Sequence, residues 1–227
     1  MPRIARVVAI DYPHHVIQRG NRRQLVFFKD SDYRNYLQFL KEHSKKFHIK
    51  IISYCLMPNH VHLIVIPEKH SSLADGIGDT HQKYTRMINL RENWRGYLWQ
   101  GRFSSYVLDE NYLYAAVRYI LLNPVTAKIV KKAEDYKWSS VRHHMGKEKI
   151  DFIEDTILKD MIDNWSTFLQ EQTTEQEIDL LRRHENTGRP LGSDKFIEQL
   201  EGVVNRNLRK QKPGPKRSRK RKGGATN

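Results

Sequence analysis

The sequence holds a single cysteine, Cys55, among 227 residues. That excludes an internal disulfide and any multi-cysteine zinc cage, and it fits a reducing, cytoplasmic setting. No apolar run approaches the roughly 20 residues of a membrane-spanning helix, and the amino terminus lacks the long apolar core of a secretory signal. A soluble, non-exported protein without membrane partners is therefore expected. A Walker-type glycine loop is also missing, which argues against nucleotide hydrolysis as a power source. Acidic side chains are the scarcer charge, 26 Asp and Glu against 40 Lys and Arg, for a net +14.

The distribution of that charge is more informative than its total. Residues 1–150 hold 25 Lys/Arg against 13 Asp/Glu, residues 151–205 hold 5 against 13, and residues 206–227 hold 10 against none. Two basic blocks flank an acidic one. The first coincides with the stretch that has the hydrophobic content of a core, so a polyanion, and nucleic acid above all, is the natural partner.

Within that first block the chain is organised around Tyr54-Cys55-Leu56-Met57-Pro58-Asn59-His60-Val61-His62-Leu63-Ile64-Val65-Ile66-Pro67. The run is apolar and β-branched, breaks once at Met57-Pro58-Asn59, and reads as two strands around a tight turn. Alternation in the second strand places His60, His62, Ile64 and Ile66 on one face. Same-face neighbours on a strand lie roughly 6.5 to 7 Å apart, so two imidazoles can converge on one divalent cation. The pair alone does not separate a metal site from half-buried packing.

The remaining pattern supplies the frame. Residues 14–19 have strand character, and Gly20-Asn21-Arg22-Arg23 is a basic turn. Asp30 or Ser31 can cap a helix on which Tyr33, Tyr36, Leu37, Leu40, Ser44 and Phe47 recur at helical spacing. A second helix is expected over 72–93, with Gly76 and Gly78 weakening its first turns. An aromatic loop over 96–103 then leads into a strand over 103–108. Asp109 can cap a helix from Glu110 to Leu122, which Pro124 is expected to stop. The order strand, helix, strand, strand, helix, strand, helix predicts an α+β, ferredoxin-like antiparallel sheet with packed helices.

We expect this domain to span 1–145, followed by an acidic helical extension over 146–186 and a basic C-terminal segment over 187–227. The charges of the extension read as a solvated face, with folding back over the basic surface as the alternative. A short helix is expected over 194–208. Lys210 to Lys222 reads as a disordered tail that binds phosphates without reading sequence.

A metal on His60 and His62 wants a further ligand, and Asn123 offers one. Tyr119 lies four residues before it and is its neighbour on a helix surface. If that helix covers the histidine face, Asn123 can ligate while Tyr119 places its phenol beside the metal. A phenol, with a pKa near ~10, attacks poorly at neutral pH unless a cation favours its ionised form. Such a constellation suits phosphoryl transfer through a covalent tyrosine intermediate.

These blocks resemble the single-tyrosine HUH transposases and, within them, the REP-associated tyrosine transposases of bacteria. The similarity runs through Gln18-Arg19-Gly20-Asn21-Arg22-Arg23, the His60-Val61-His62 strand and Leu98-Trp99-Gln100-Gly101-Arg102-Phe103. It continues through Val117-Arg118-Tyr119-Ile120-Leu121-Leu122-Asn123-Pro124-Val125 and Tyr136-Lys137-Trp138-Ser139-Ser140, in order, with Gly188-Arg189-Pro190-Leu191-Gly192 beyond.

The resemblance implies an endonuclease and strand transferase acting on single-stranded or hairpin DNA. His60 and His62 would be the metal-binding pair, Asn123 the third ligand, Tyr119 the nucleophile, and Mg2+ or Mn2+ the metal. It further implies a 5′-phosphotyrosine intermediate with a free 3′-hydroxyl, and a cytoplasmic, nucleoid-associated protein acting as a monomer or homodimer. Arg19, Arg22, Arg23 and Arg102 match basic positions suited to DNA contacts, and Trp99 and Tyr97 are suited to stacking on unpaired bases. Core packing of Trp99 and Phe103 is the alternative, and Tyr112 is the nearest rival nucleophile. A His-x-His-x-Asp-His metallo-hydrolase is excluded because Ile64 and Val65 stand where Asp and His are needed. The remaining rival is a domesticated, inactive protein that grips palindromic DNA. It would be marked by loss of His60, His62, Tyr119 or Asn123, and all four are present.

Overall fold

A computed structural model describes residues 4–171 and 173–209. β1 (His14–Arg19), β2 (Ile49–Met57), β3 (His60–Pro67) and β4 (Ser104–Val107) form one antiparallel sheet in the order β2-β3-β1-β4. Their β-branched and aromatic residues are nearly all buried, as a sheet covered on both faces requires. With α1 (Asp30–Lys46) between β1 and β2, and α2 (Gly78–Glu92) between β3 and β4, this is the expected ferredoxin-like arrangement.

Register decides which side chains share a face. Arg19 pairs with His60, Ile17 with His62 and His15 with Ile64, while His15 also pairs with Tyr106 on β4. Cross-strand partners point the same way. Arg19, His15, His60, His62 and Tyr106 therefore occupy one face. The helices α1 and α2 cover the other, where Tyr36 bonds His81 at 3.0 Å and Phe27 stacks on Tyr33 with ring centroids 4.3 Å apart. The helix expected over 72–93 opens as a wide π-turn at Leu73–Ile77 before settling into α2.

On the histidine face lies α3 (Glu110–Thr126), capped as expected by Asp109, whose Oδ1 accepts from the Tyr112 N–H at 3.0 Å. The expected stop at Pro124 is corrected: the helix runs on to Thr126 with Pro124 inside it. Proline removes only its own N–H, and the last turn is held by Ala127 N–H donating to the Asn123 carbonyl at 2.9 Å.

Beyond α3 come the short helices α4 (Val141–His144), α5 (Thr156–Met161) and α6 (Trp165–Gln170), then α7 (Glu175–Thr187) and α8 (Asp194–Val204). Most charged side chains of the acidic extension are exposed, as the solvated-face reading expected, while its apolar side packs inward. Phe168 and Leu181 are buried in the same core cluster as Val16, Leu63 and Ile120, so the extension folds back onto the sheet. Its apolar stripe outweighs its charge, and one of its carboxylates, Glu171, pairs with the buried Arg118. The Gly188-Arg189-Pro190-Leu191-Gly192 block is structural. Gly188 ends α7 at φ 69°, and Leu191 bridges Leu108 at the end of β4. The proposed basic tail over 210–222 lies outside the described residues. No helix among the described residues is long and apolar enough to cross a membrane.

Candidate active site

The two histidines of β3 meet α3 as the alternation predicts. The His60 and His62 rings lie 4.9 Å apart and nearly perpendicular, and the Tyr119 ring stands 5.7 Å from His62. One turn further along α3, the Asn123 side-chain amide reaches His62 Nε2 at 3.3 Å. Tyr112 lies seven residues before Tyr119, about 10 Å back along the helix axis. The structure thus brings His60, His62, Tyr119 and Asn123 together.

Each imidazole has its Nδ1 engaged, and His62 Nε2 also meets the Asn123 amide. His60 Nδ1 bonds Asn59 Oδ1 at 2.6 Å, and His62 Nδ1 bonds His15 Nε2 at 2.9 Å. Burial, with Arg19 adding to it, pushes His60 down to about 3, and burial holds His62 well below the ordinary imidazole range. Both are neutral at pH 7, so a lone pair is available on each ring. Two neutral imidazoles with their outer nitrogens tied down, and an amide that can rotate its oxygen inward, form a donor set that fits a divalent metal.

A second grouping overlaps the first. Ligand atoms of His15, His62 and Glu185 lie within 4.8 Å of one another. In this second grouping the facing nitrogens of His15 and His62 are spent on each other and a Glu185 oxygen is paired with Arg19 at 3.3 Å. The other Glu185 oxygen is buried with no hydrogen-bond partner among the described residues, so this carboxylate borders the site as a negative charge. Burial raises its pKa, partly offset by Arg19.

Sequence reasoning missed these contributions from α7 and from β1. Glu185 and Arg182 both act on Tyr119: burial raises the phenol's pKa and the Glu185 charge adds to it, while a hydrogen bond from Arg182 works the other way. As it stands, Tyr119 is a protonated phenol. His15 was available as a signal, since strand alternation puts it on the face of Ile17 and Arg19, but only the register sets it against His62.

The basic motifs form a neighbouring surface. Gly20 bridges Trp99, the Asn21 N–H donates to the Leu98 carbonyl at 2.8 Å, and the Gln100 N–H donates to the Arg19 carbonyl at 2.8 Å. The two loops are thereby stitched together, with Arg22, Arg23 and Arg102 exposed and Arg19 partly so. Trp99 as an open stacking platform is corrected. It is 5 % exposed, packed on His81, Tyr36 and Tyr84, and its indole N–H donates to the His81 carbonyl. A large apolar ring beside α1 and α2 gains more from the core than from solvent. Its edge still lines a cavity of about 460 Å³ shared with Gln18, Arg86, Arg102 and Tyr97. Tyr97, at 84 % exposed, is the aromatic free to stack.

The family model for IS200-like transposases matches residues 9–123, a span that holds all four convergent residues. The chain belongs to the IS200-like transposase family. An IS200-like transposase is an enzyme acting on DNA, and this one carries its convergent side chains and its arginine loops on adjoining surfaces. Among solved structures, it is similar to a REP-associated tyrosine transposase bound to a REP hairpin, with TM-score 0.52 and 20 % identity over 68 % of this chain and 93 % of that one. At that identity the likeness is one of fold. A transposase structure from Deinococcus radiodurans, TM-score 0.36 and 17 % identity over 48 % of this chain and 88 % of that one, overlaps too little to bear on the argument. No curated protein sequence matches the chain.

Proposed function

We propose that this IS200-like transposase is a single-stranded DNA endonuclease and strand transferase that works on palindromic hairpin DNA through Tyr119. The observation that carries the reading is the seating of Tyr119 and Asn123, one helical turn apart on α3, directly over His60 and His62. That its structural neighbour was solved with a REP hairpin supports a hairpin as substrate.

In this reading the Tyr119 oxygen attacks the scissile phosphorus. The new P–O(tyrosyl) bond forms as the P–O3′ bond breaks, the phenolic proton passes to solvent, and the 3′-oxygen leaves as a hydroxyl after taking a proton from water. One phosphodiester replaces another, so no ATP is needed. Held by His60, His62 and Asn123, Mg2+ or Mn2+ would supply Lewis-acid polarisation of the phosphate and favour the ionised phenol. His60 and His62, neutral and orientationally fixed, present lone pairs rather than N–H groups to that position. Arg19, Arg22, Arg23 and Arg102 hold backbone phosphates beside the site, and Tyr97 stacks on an unpaired base.

The test mixes the protein with end-labelled hairpin oligonucleotides, including palindromes of its own genome, with and without Mg2+ or Mn2+. Denaturing gels should show cleavage and a protein-DNA adduct that vanish in Tyr119→Phe. An adduct that persists in Tyr119→Phe moves the nucleophile to another residue such as Tyr112. Tight binding without cleavage across the panel would make the protein a DNA-binding relic.

A further inference from the structure

Behind His62, on the side away from Asn123, a file of buried polar groups crosses three strands. His62 Nδ1 faces His15 Nε2 at 2.9 Å, His15 Nδ1 faces the Tyr106 hydroxyl at 2.8 Å, and that hydroxyl donates to the Leu181 carbonyl of α7 at 3.3 Å. His62, His15 and Tyr106 are each wholly shielded from solvent. Three polar side chains in a row inside a sheet-helix core are costly unless each bond is satisfied in a consistent direction.

Taken as the donor to the Leu181 carbonyl at 3.3 Å, the Tyr106 hydroxyl sets that direction from one end. A carbonyl has no hydrogen, so the Leu181 oxygen accepts, and the single hydroxyl hydrogen of Tyr106 is spent on it. Toward His15 the tyrosine oxygen then acts only as an acceptor, which requires the hydrogen of His15 on Nδ1. His15 Nε2 is left with a lone pair, which requires the hydrogen of His62 on Nδ1. His62 Nε2 therefore carries the lone pair, on the side of Asn123. The opposite polarity would take the tyrosine hydrogen away from Leu181 and put an N–H where a metal ligand is needed.

We infer that His15 and Tyr106 are positioning residues: with the Leu181 carbonyl they form a directional hydrogen-bond relay that locks His62 in the Nδ1–H tautomer and aims its Nε2 lone pair into the candidate metal site. The inference rests on the proposed role of His62 and adds what sets its state. It also gives α7 a part in the site, because the carbonyl that anchors the relay belongs to that helix and not to the sheet. The fold explains why these residues meet. His15 and Tyr106 are direct cross-strand partners, and His62 sits two residues along, on the same face, on the other neighbouring strand.

The experiment uses the full chain labelled with 15N-histidine. Long-range 1H–15N correlation spectra distinguish the two neutral tautomers of each imidazole without requiring metal or turnover. Wild type should show His62 as Nδ1–H. Tyr106→Phe, which keeps the ring and removes the acceptor, should give a mixture of His62 tautomers and weaken Mn2+ binding, followed by calorimetric titration, by about 10- to 100-fold. His15→Phe should do the same more completely, and Tyr106→Phe keeps the question answerable if His15→Phe fails to fold. An Nε2–H tautomer for His62 in wild type, or an unchanged tautomer and Mn2+ affinity in folded Tyr106→Phe, would overturn the relay. If wild type shows the Nδ1–H tautomer but Mn2+ neither binds nor broadens the His60 and His62 resonances, the relay stands and the metal reading fails.

Discussion

Gly20 shows how closely the basic loop is fitted. A Cβ added there would come within 2.2 Å of the Gln24 carbonyl oxygen and 2.9 Å of Val26 Cγ1, while its N–H donates to the Asn59 carbonyl at 2.8 Å. Backbone cannot yield as a flexible side chain can. Gly20→Ala is expected to destabilise the protein by about 2 kcal/mol in urea titration and to weaken hairpin binding, because Arg22 and Arg23 follow directly. A variant as stable as wild type would show that the loop has room to move. The glycine itself was legible as a turn signal in Gly20-Asn21-Arg22-Arg23. The reason it must be glycine was not, since Gln24 and Val26 crowd it only once the loop is folded against Asn59.

Among the elements, α3 depends on one carboxylate more than its sequence suggests. Asp109 caps the helix through Tyr112 N–H and also accepts from Ser193 N–H at 2.8 Å, at the start of α8. Asp109→Ala should cost about 1 to 2 kcal/mol by chemical denaturation, and Asp109→Asn, which keeps an acceptor for the cap, clearly less. Equal losses in the two variants would mean that the charge or the bond to Ser193, not the cap, is what matters. The capping role was readable from Asp109 preceding an apolar-periodic run. The bond to α8 was not, because the chain needs the Gly188 reversal to return to that point. Ahead of that reversal, the packing of α7 against β4 and α3 brings Arg182 and Glu185 over Tyr119.

For the molecule as a whole, buried neutral histidines make stability depend on pH. Burial lowers His14 to about 4, with backbone hydrogen bonds working against it, and lowers His81 and His144 to about 3. In the unfolded chain each titrates near ~6.5. Between pH 6.5 and 4 the unfolded state therefore binds more protons, so the stability these groups confer is present above pH 6.5 and is lost on acidification. Each imidazole contributes up to about 1.4 kcal/mol per pH unit in that window. Calorimetry should show Tm falling steeply from pH 6.5 to 4.5, and a flat Tm over that range would contradict neutral burial. At the same scale, the +14 charge would make the proposed hairpin binding salt-dependent. Replacing both Arg22 and Arg23 with Ala should flatten the slope of log K against log salt by about 1 to 1.5, with the loss of affinity spread evenly over sequences. An unchanged slope would place the phosphates elsewhere.

The sequence by itself determined the sheet and its helices, because alternation and helical spacing are local properties that each segment carries alone. It likewise determined that His60 and His62 share a face and that Tyr119 and Asn123 share a stripe. Tertiary structure decided everything that depends on segments distant in the chain. It turned Trp99 inward, since α1 and α2 offered it a core, and it folded the acidic extension onto the sheet, since buried Phe168 and Leu181 outweigh the cost of approaching charge. It also set His15 against His62, a pairing that exists only through the β1-β3 register, which no local pattern encodes.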